Sequence, residues 1–241
     1  MLGAGRICSL KAPRMQDPRF HLYLDSTDLT ELKACLPHPA VYGVTTNPTL
    51  LKRAGVAMAA LPRLFEEILE LGVHKVQAQV FSTGFDGMVR DAETLLRYVD
   101  RHKIVVKVPA TREGLRAGAK LIAGGVAVTF TAVYALEQAL FAAEMGAAYA
   151  APYLGRLNDS GVDGLVLIAR MQALVERSQG SGASKMRLLV ASIRKREDFL
   201  ALLELSVGAI TVPPKLFAEL VDHLATIEAE RAFLSDATSL G

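Results

Sequence analysis

A chain of 241 residues that is 51% hydrophobic and 22% charged suits one domain with a sizeable buried core and excludes a disordered or fibrous chain. Aromatic residues make up only 6%, Trp is absent and the formal net charge is +2, so neither stacking platforms nor a basic face supports nucleic-acid binding. Cys8 and Cys35 form no C-x-x-C pair, which argues against a disulfide framework or a zinc site and for a reducing cytoplasmic compartment.

Residues 1–19 hold Arg6, Lys11, Arg14 and Arg19 against Asp17. They account for the pI near 8.5, while the body of the chain is about neutral. The segment has no continuous apolar stretch and reads as a basic, disordered extension, with an organellar address as the alternative to be kept beside it. No uncharged apolar run approaches the length of about 18 residues that a membrane span needs.

From Phe20 onward, short β-rich runs alternate with longer amphipathic stretches in about eight units. The predicted strands are Phe20–Ser26, Val41–Asn47, Lys75–Phe81, Ile104–Ala110, Val126–Thr131, Ala147–Tyr153, Met186–Ser192 and Ala209–Val212. Helical patterns lie between them at Met58–Leu71, Gly87–Asp100, Val133–Met145, Gly164–Arg177 and Glu197–Leu205. In Gly164–Arg177, for example, Leu165, Ile168, Met171 and Val175 recur at helical spacing. Most of the strand runs are continuously apolar, as parallel strands buried on both faces require. The pattern predicts a single α/β domain over residues 20–241, a (β/α)8 TIM barrel, with an open doubly wound sheet as the structural alternative. Ser178–Ser184 reads as a flexible loop, and Ile227–Leu240 as an extra C-terminal helix.

Barrel active sites assemble where strands end at the C-terminal face, so the polar residues there carry the functional reading. The first strand ends at Asp25 and the second at Thr45, Thr46 and Asn47, and the third carries Gln79. The fourth holds Lys107, the fifth ends at Thr129 and Thr131, the sixth at Tyr153 with Arg156 following, and the seventh at Ser192 with Arg194 following. Lys107 lies among valines in Val105-Val106-Lys107-Val108-Pro109, where desolvation would supply the neutral amine that Schiff-base chemistry needs. A lysine snorkelling from a strand end, or paired with Asp25, is the plainer reading. Asp25 is an acid-base group or the cap of a helix starting near Asp28, and Asn47 either bonds a substrate hydroxyl or ends a strand before Pro48. Thr131, Gln79 and Tyr153 can together hold one water. Arg156, Ser192 and Arg194 suit a phosphate dianion, although Arg194-Lys195-Arg196 is also an ordinary basic run. The five histidines fall in no metal-binding spacing, so a lysine route is preferred to a divalent metal, and no cofactor is expected.

The set Leu22-Tyr23-Leu24-Asp25, Gly43-Val44-Thr45-Thr46-Asn47-Pro48, Val105-Val106-Lys107-Val108-Pro109, Thr131-Ala132-Val133-Tyr134, Ala151-Pro152-Tyr153 and Ala191-Ser192 closely resembles the small transaldolase and fructose-6-phosphate aldolase family, from about Tyr23 to the chain end. The resemblance implies that Lys107 forms an iminium ion with C2 of fructose 6-phosphate. It also implies that Asp25 assists proton transfer, that Thr45 and Asn47 meet substrate hydroxyls, and that Arg156, Ser192 and Arg194 hold the phosphate. In the transaldolase branch the position matching Gln79 is a glutamate and the one matching Tyr153 a phenylalanine. Gln79 and Tyr153 therefore look like the aldolase branch, in which Tyr153 and Thr131 position the proton-shuttling water. Ile193, where an aromatic is common, and the transaldolase-like Leu154-Gly155-Arg156-Leu157 depart from that branch. A transaldolase of the pentose phosphate pathway is the alternative, and a non-catalytic sugar-phosphate sensor is an alternative of another class. The expected partners are small sugar phosphates and further copies of the chain in a homo-oligomer, a ring by resemblance, with neither nucleic acid nor membrane.

Overall fold

The computed structural model describes residues 19–180 and 185–240. The basic extension lies almost wholly outside the described residues, as does most of the expected Ser178–Ser184 loop. Eight parallel strands close into one barrel in chain order: β1 His21–Asp25, β2 Val41–Thr45, β3 Lys75–Gln79, β4 Ile104–Pro109, β5 Val128–Val133, β6 Tyr149–Pro152, β7 Arg187–Val190 and β8 Ala209–Val212. The pairing of β8 with β1, Leu22 opposite Ile210 and Leu24 opposite Val212, removes both sheet edges and excludes the open doubly wound sheet.

The described helices are α1 Leu29–Cys35, α2 Pro48–Arg53, α3 Leu61–Glu70, α4 Phe85–Tyr98, α5 Arg112–Ala123, α6 Leu136–Glu144, α7 Leu154–Asp159, α8 Gly164–Gly180, α9 Arg196–Glu204, α10 Pro214–Val221 and α11 Leu224–Ser239. Helix α8 runs three residues past Arg177, so Ser178 belongs to a helix and not to a loop. Strand β5 starts at Val128 because the Val126 N–H is taken by the Leu121 carbonyl at the end of α5. It also runs on to Val133, where a helix was expected. Helix α6 begins only after Tyr134 and Ala135 have donated their backbone N–H groups to Gln138 Oε1, at 2.8 and 3.0 Å. The extra helix is present as α11 and buries none of its residues, leaving Leu224, Phe233 and Leu234 exposed. No described helix is long and apolar enough to cross a membrane.

The strand alternation separates two apolar regions. Ile104, Val106 and Val108 of β4 face outward into the large core between strands and helices, as do Leu22 and Leu24 of β1. Tyr23, Val105, Tyr149, Ala151, Leu189 and Ala209 form a second cluster inside the barrel. Since side chains alternate at period two, Asp25 and Lys107 share the inner face with Tyr23 and Val105. Burying a Leu or Ile of the outer core, such as Leu32 or Ile68, contributes roughly 1.5–3 kcal/mol, which makes that shell the main source of stability.

One glycine ties the outer shell to the strand ends. A Cβ on Gly114, in the first turn of α5, would lie 1.8 Å from the Pro109 carbonyl oxygen at the end of β4. Ala improves helix propensity by about 1 kcal/mol, but a contact with fixed backbone costs about 1–3 kcal/mol or more, so the clash wins. Gly114→Ala should therefore lower stability in urea unfolding by about 1–2 kcal/mol; an unchanged or raised midpoint would contradict the close approach of α5 to β4.

Candidate active site

The C-terminal strand ends open into a cavity of about 940 Å³, its solvent-filled mouth included. Asp25, Thr45, Asn47, Gln79, Lys107, Tyr153, Arg156 and Ser192 line it. Barrel register sets the neighbours: Asp25 pairs with Thr45, Gln79 with Lys107, Lys107 with Thr129 and Pro109 with Thr131. Residues far apart in sequence thus converge on one chamber.

Lys107 is buried, and its Nζ donates to the Thr46 carbonyl at 2.9 Å. Desolvation holds the amine below the ordinary lysine range, and the nearby Asp25 carboxylate only partly opposes this. Burial therefore outweighs ion pairing. Thr46 is held in turn by its own Oγ1, which donates to the Gln77 carbonyl at 3.0 Å.

Asp25 does not cap the next helix. Asp28 does, its Oδ1 accepting from the Thr30 and Glu31 N–H groups at 2.8 and 3.2 Å. That leaves Asp25 to the cavity, where its Oδ1 accepts from Thr45 Oγ1 at 2.7 Å. Thr45 is fully buried, and its oxygen lies 2.7 Å from Thr211 Oγ1. Asn47 caps α2 by accepting from the Leu50 N–H at 3.0 Å, with Pro48 in the first helical turn. Its side-chain oxygen is thus taken up by the fold, while its amide NH2 remains a donor at the cavity wall.

On the opposite wall, Tyr153 Oη lies 2.7 Å from Thr131 Oγ1, and Thr131 itself is not a lining residue. Burial pushes the Tyr153 phenol up, while its bond to Thr131 and the Arg156 guanidinium, 4.8 Å above the ring, pull the other way. The backbone of Ala132, a residue at φ 57° where β5 and β6 shift register, also pulls the phenol down. Gln79 lines the cavity beside Lys107 in register. Thr129 is turned down the barrel, donating to Gln77 Oε1 at 2.7 Å.

The three residues grouped for phosphate do not all meet. Arg156 and Ser192 line the cavity, but the Arg194 guanidinium is held by Asp159, at 2.7 and 2.5 Å, outside the lining. A two-point carboxylate match is what a guanidinium fork favours, and Asp159 comes close only once α7 has formed. Gly155 lies between: a Cβ there would be 2.6 Å from the Ser192 carbonyl, 2.9 Å from its hydroxyl and 2.8 Å from Arg194 Nε. Ser192 sits at φ 62°, a conformation that costs a non-glycine residue about 1–3 kcal/mol.

Sequence reasoning missed Thr211 and Arg53, both of which line the cavity. Thr211 was accessible to the same test, being a polar residue in the last strand. Arg53 follows the second strand by a helix, and no spacing marks it. Among the described residues no group of three or more His, Cys, Asp and Glu is arranged to hold a metal ion.

The closed barrel and the cavity define the class: a (β/α)8-barrel protein whose polar strand ends gather around one lysine amine. A family model described as Transaldolase/Fructose-6-phosphate aldolase matches residues 22–240, and the chain belongs to that family of enzymes. It is 32% identical over 219 residues to a probable transaldolase of Chelativorans sp. (strain BNC1), covering 91% of this chain and 97% of the relative. It is 34% identical over 215 residues to a probable transaldolase of Thermoplasma volcanium, covering 89% and 94% of the two chains. A probable transaldolase of Carboxydothermus hydrogenoformans is 33% identical over 215 residues, with coverage of 89% and 96%. Among solved structures, the flavin-binding domain of baker's yeast flavocytochrome b2 superposes with a TM-score of 0.55 at 13% identity. That match covers 83% of this chain and 58% of the other, and shares the barrel fold alone.

The Lys107 amine should become reactive toward a small amine-modifying reagent at lower pH than a free lysine. Peptide mapping of the modification rate against pH should give a half-maximum below about 10.4, since deprotonation activates the amine and burial makes it easier. A half-maximum at or above that value would show that Asp25 dominates.

Proposed function

We propose that the chain is a class I aldolase that reversibly cleaves fructose 6-phosphate to dihydroxyacetone and glyceraldehyde 3-phosphate. The observation that carries this reading is that Tyr153, hydrogen-bonded to Thr131, lines the same cavity as the buried Lys107, with a non-ionising amide, Gln79, in that lining too.

The neutral Lys107 amine adds to the C2 ketone, and loss of water leaves an iminium ion. Removal of the C4 hydroxyl proton, assisted by Asp25, breaks the C3–C4 bond. The electron pair passes to the iminium nitrogen as an enamine, and the aldehyde leaves. A water held by Tyr153 and Thr131 returns a proton to C3, and hydrolysis frees dihydroxyacetone and Lys107. Gln79 can orient that water but cannot take its proton. In this reading the Asn47 amide NH2 donates to a substrate hydroxyl, and Arg156 with Ser192 binds the phosphate, all three lining the cavity. Arg194 would join them only by exchanging Asp159 for the substrate anion.

A transaldolase is the second reading, favoured by the names of the relatives, which match this chain over nearly their whole length. There the enamine waits for an aldose acceptor in place of a proton.

Incubation with fructose 6-phosphate alone should release free dihydroxyacetone, and borohydride should trap a covalent adduct that maps to Lys107. No free dihydroxyacetone from fructose 6-phosphate alone, but formation of sedoheptulose 7-phosphate once erythrose 4-phosphate is added, would assign transfer. Absence of any adduct would leave a sugar-phosphate sensor. Gly155→Ala, which pushes on Ser192 and Arg194, should raise KM for the phosphorylated ketose about tenfold, a loss of about 1.4 kcal/mol of binding, with kcat within about twofold. An unchanged KM would remove Ser192 from the phosphate site.

A further inference from the structure

We infer that Thr211 is a positioning residue that acts on the reaction through Thr45 and Asp25, and that Thr45 belongs to this relay and not to the substrate-hydroxyl contacts. The inference rests on the Schiff-base reading above.

Proton counting gives the direction of each bond. A carboxylate can only accept, so the 2.7 Å contact between Thr45 Oγ1 and Asp25 Oδ1 takes the single hydroxyl proton of Thr45. The 2.7 Å contact between Thr45 and Thr211 must then be filled by the Thr211 proton, with Thr45 accepting. Both hydroxyls are thereby committed, and neither has a proton left for a substrate. The residues are nearly water-free, Thr45 fully buried and Thr211 3% exposed, so solvent does not compete for these bonds.

Barrel closure makes the relay possible. Thr211 of β8 pairs with Tyr23 of β1, and Asp25, two residues along β1, pairs with Thr45 of β2. The hydroxyl of the last strand thus reaches past the first strand to that of the second, which in turn bonds the carboxylate. With Oδ1 engaged in this way, the relay leaves Oδ2 as the oxygen of Asp25 for the proton transfer. A general base held by one oxygen presents the other in a defined orientation, which a freely turning carboxylate does not.

The test is a set of steady-state measurements on fructose 6-phosphate with the full chain. Thr211→Val should lower kcat about tenfold with KM within about twofold, because the relay acts on a group of the chemical step. Thr211→Ser keeps the hydroxyl and should stay within about twofold of the parent. Adding Thr211→Val to Thr45→Val should cost less than about twofold more, since the relay is already broken. Should Thr211→Val fail to fold, Thr211→Ala takes its place in the same cycle.

Any of three results would overturn the inference: an unchanged kcat in Thr211→Val, a Thr211→Ser as impaired as Thr211→Val, or losses that multiply in the double variant. A rise in KM alone would make Thr211 a substrate ligand and overturn it too. The unmodified chain is assayed first: without turnover or a Lys107 adduct, the Schiff-base reading falls and takes the relay with it. With turnover and adduct present, a failure among the variants falls on the relay alone.

Discussion

A lysine amine kept away from water is the constraint around which the strand ends are arranged. Lys107 is buried inside a closed barrel, and Asp25, Thr45, Asn47 and Tyr153 at the same cavity are each hydrogen-bonded to another residue of the fold. The Thr46 carbonyl takes one of its protons, and Asp25 sits close enough to oppose, but not to cancel, the effect of burial. A tight ion pair would have kept the amine protonated and inert. Asp25 instead accepts from the Thr45 hydroxyl.

The surrounding shell stores conformational strain where it aims a group. Ala132, at positive φ within β5, lies beside Thr131, whose hydroxyl meets the Tyr153 phenol. Ser192, likewise at positive φ, places its carbonyl on the Gly155 N–H and its hydroxyl in the cavity wall. Each such residue costs about 1–3 kcal/mol, an amount that the outer core of Leu, Ile and Val side chains readily offsets. Stability and chemistry are thus carried by opposite faces of the same strands.

Arg194 shows how local structure redirects a charge. In sequence it follows Ser192 and looks like a phosphate ligand beside Arg156. In the fold, α7 delivers Asp159 to it, and the guanidinium turns to that carboxylate. Asp28 did the reverse for Asp25: by capping α1 itself, it released the earlier carboxylate for the cavity. Both outcomes depend on where a helix starts or ends within a residue or two, the least legible feature of a sequence.

Strand, helix and strand in alternation were legible because buried parallel strands are continuous apolar runs and their covering helices are not. Lys107 amid valines was a weak signal alone and became legible through the polar residues that recur at the ends of the other apolar runs and through the set of motifs shared with the family. The sequence therefore determined the alternation of strands and helices and most of the residues that face the cavity, while the pairing of β8 with β1 decided for a closed barrel over an open sheet. It did not determine which face of a strand looked inward, since both faces of β4 are apolar and only closure makes Val105 and Lys107 internal. Nor did it determine who holds whom: Thr211 with Thr45, Tyr153 with Thr131 and Asp159 with Arg194 are contacts across 166, 22 and 35 residues. Hydrogen bonds act over about 3 Å of space, so only the register of a closed barrel could decide them.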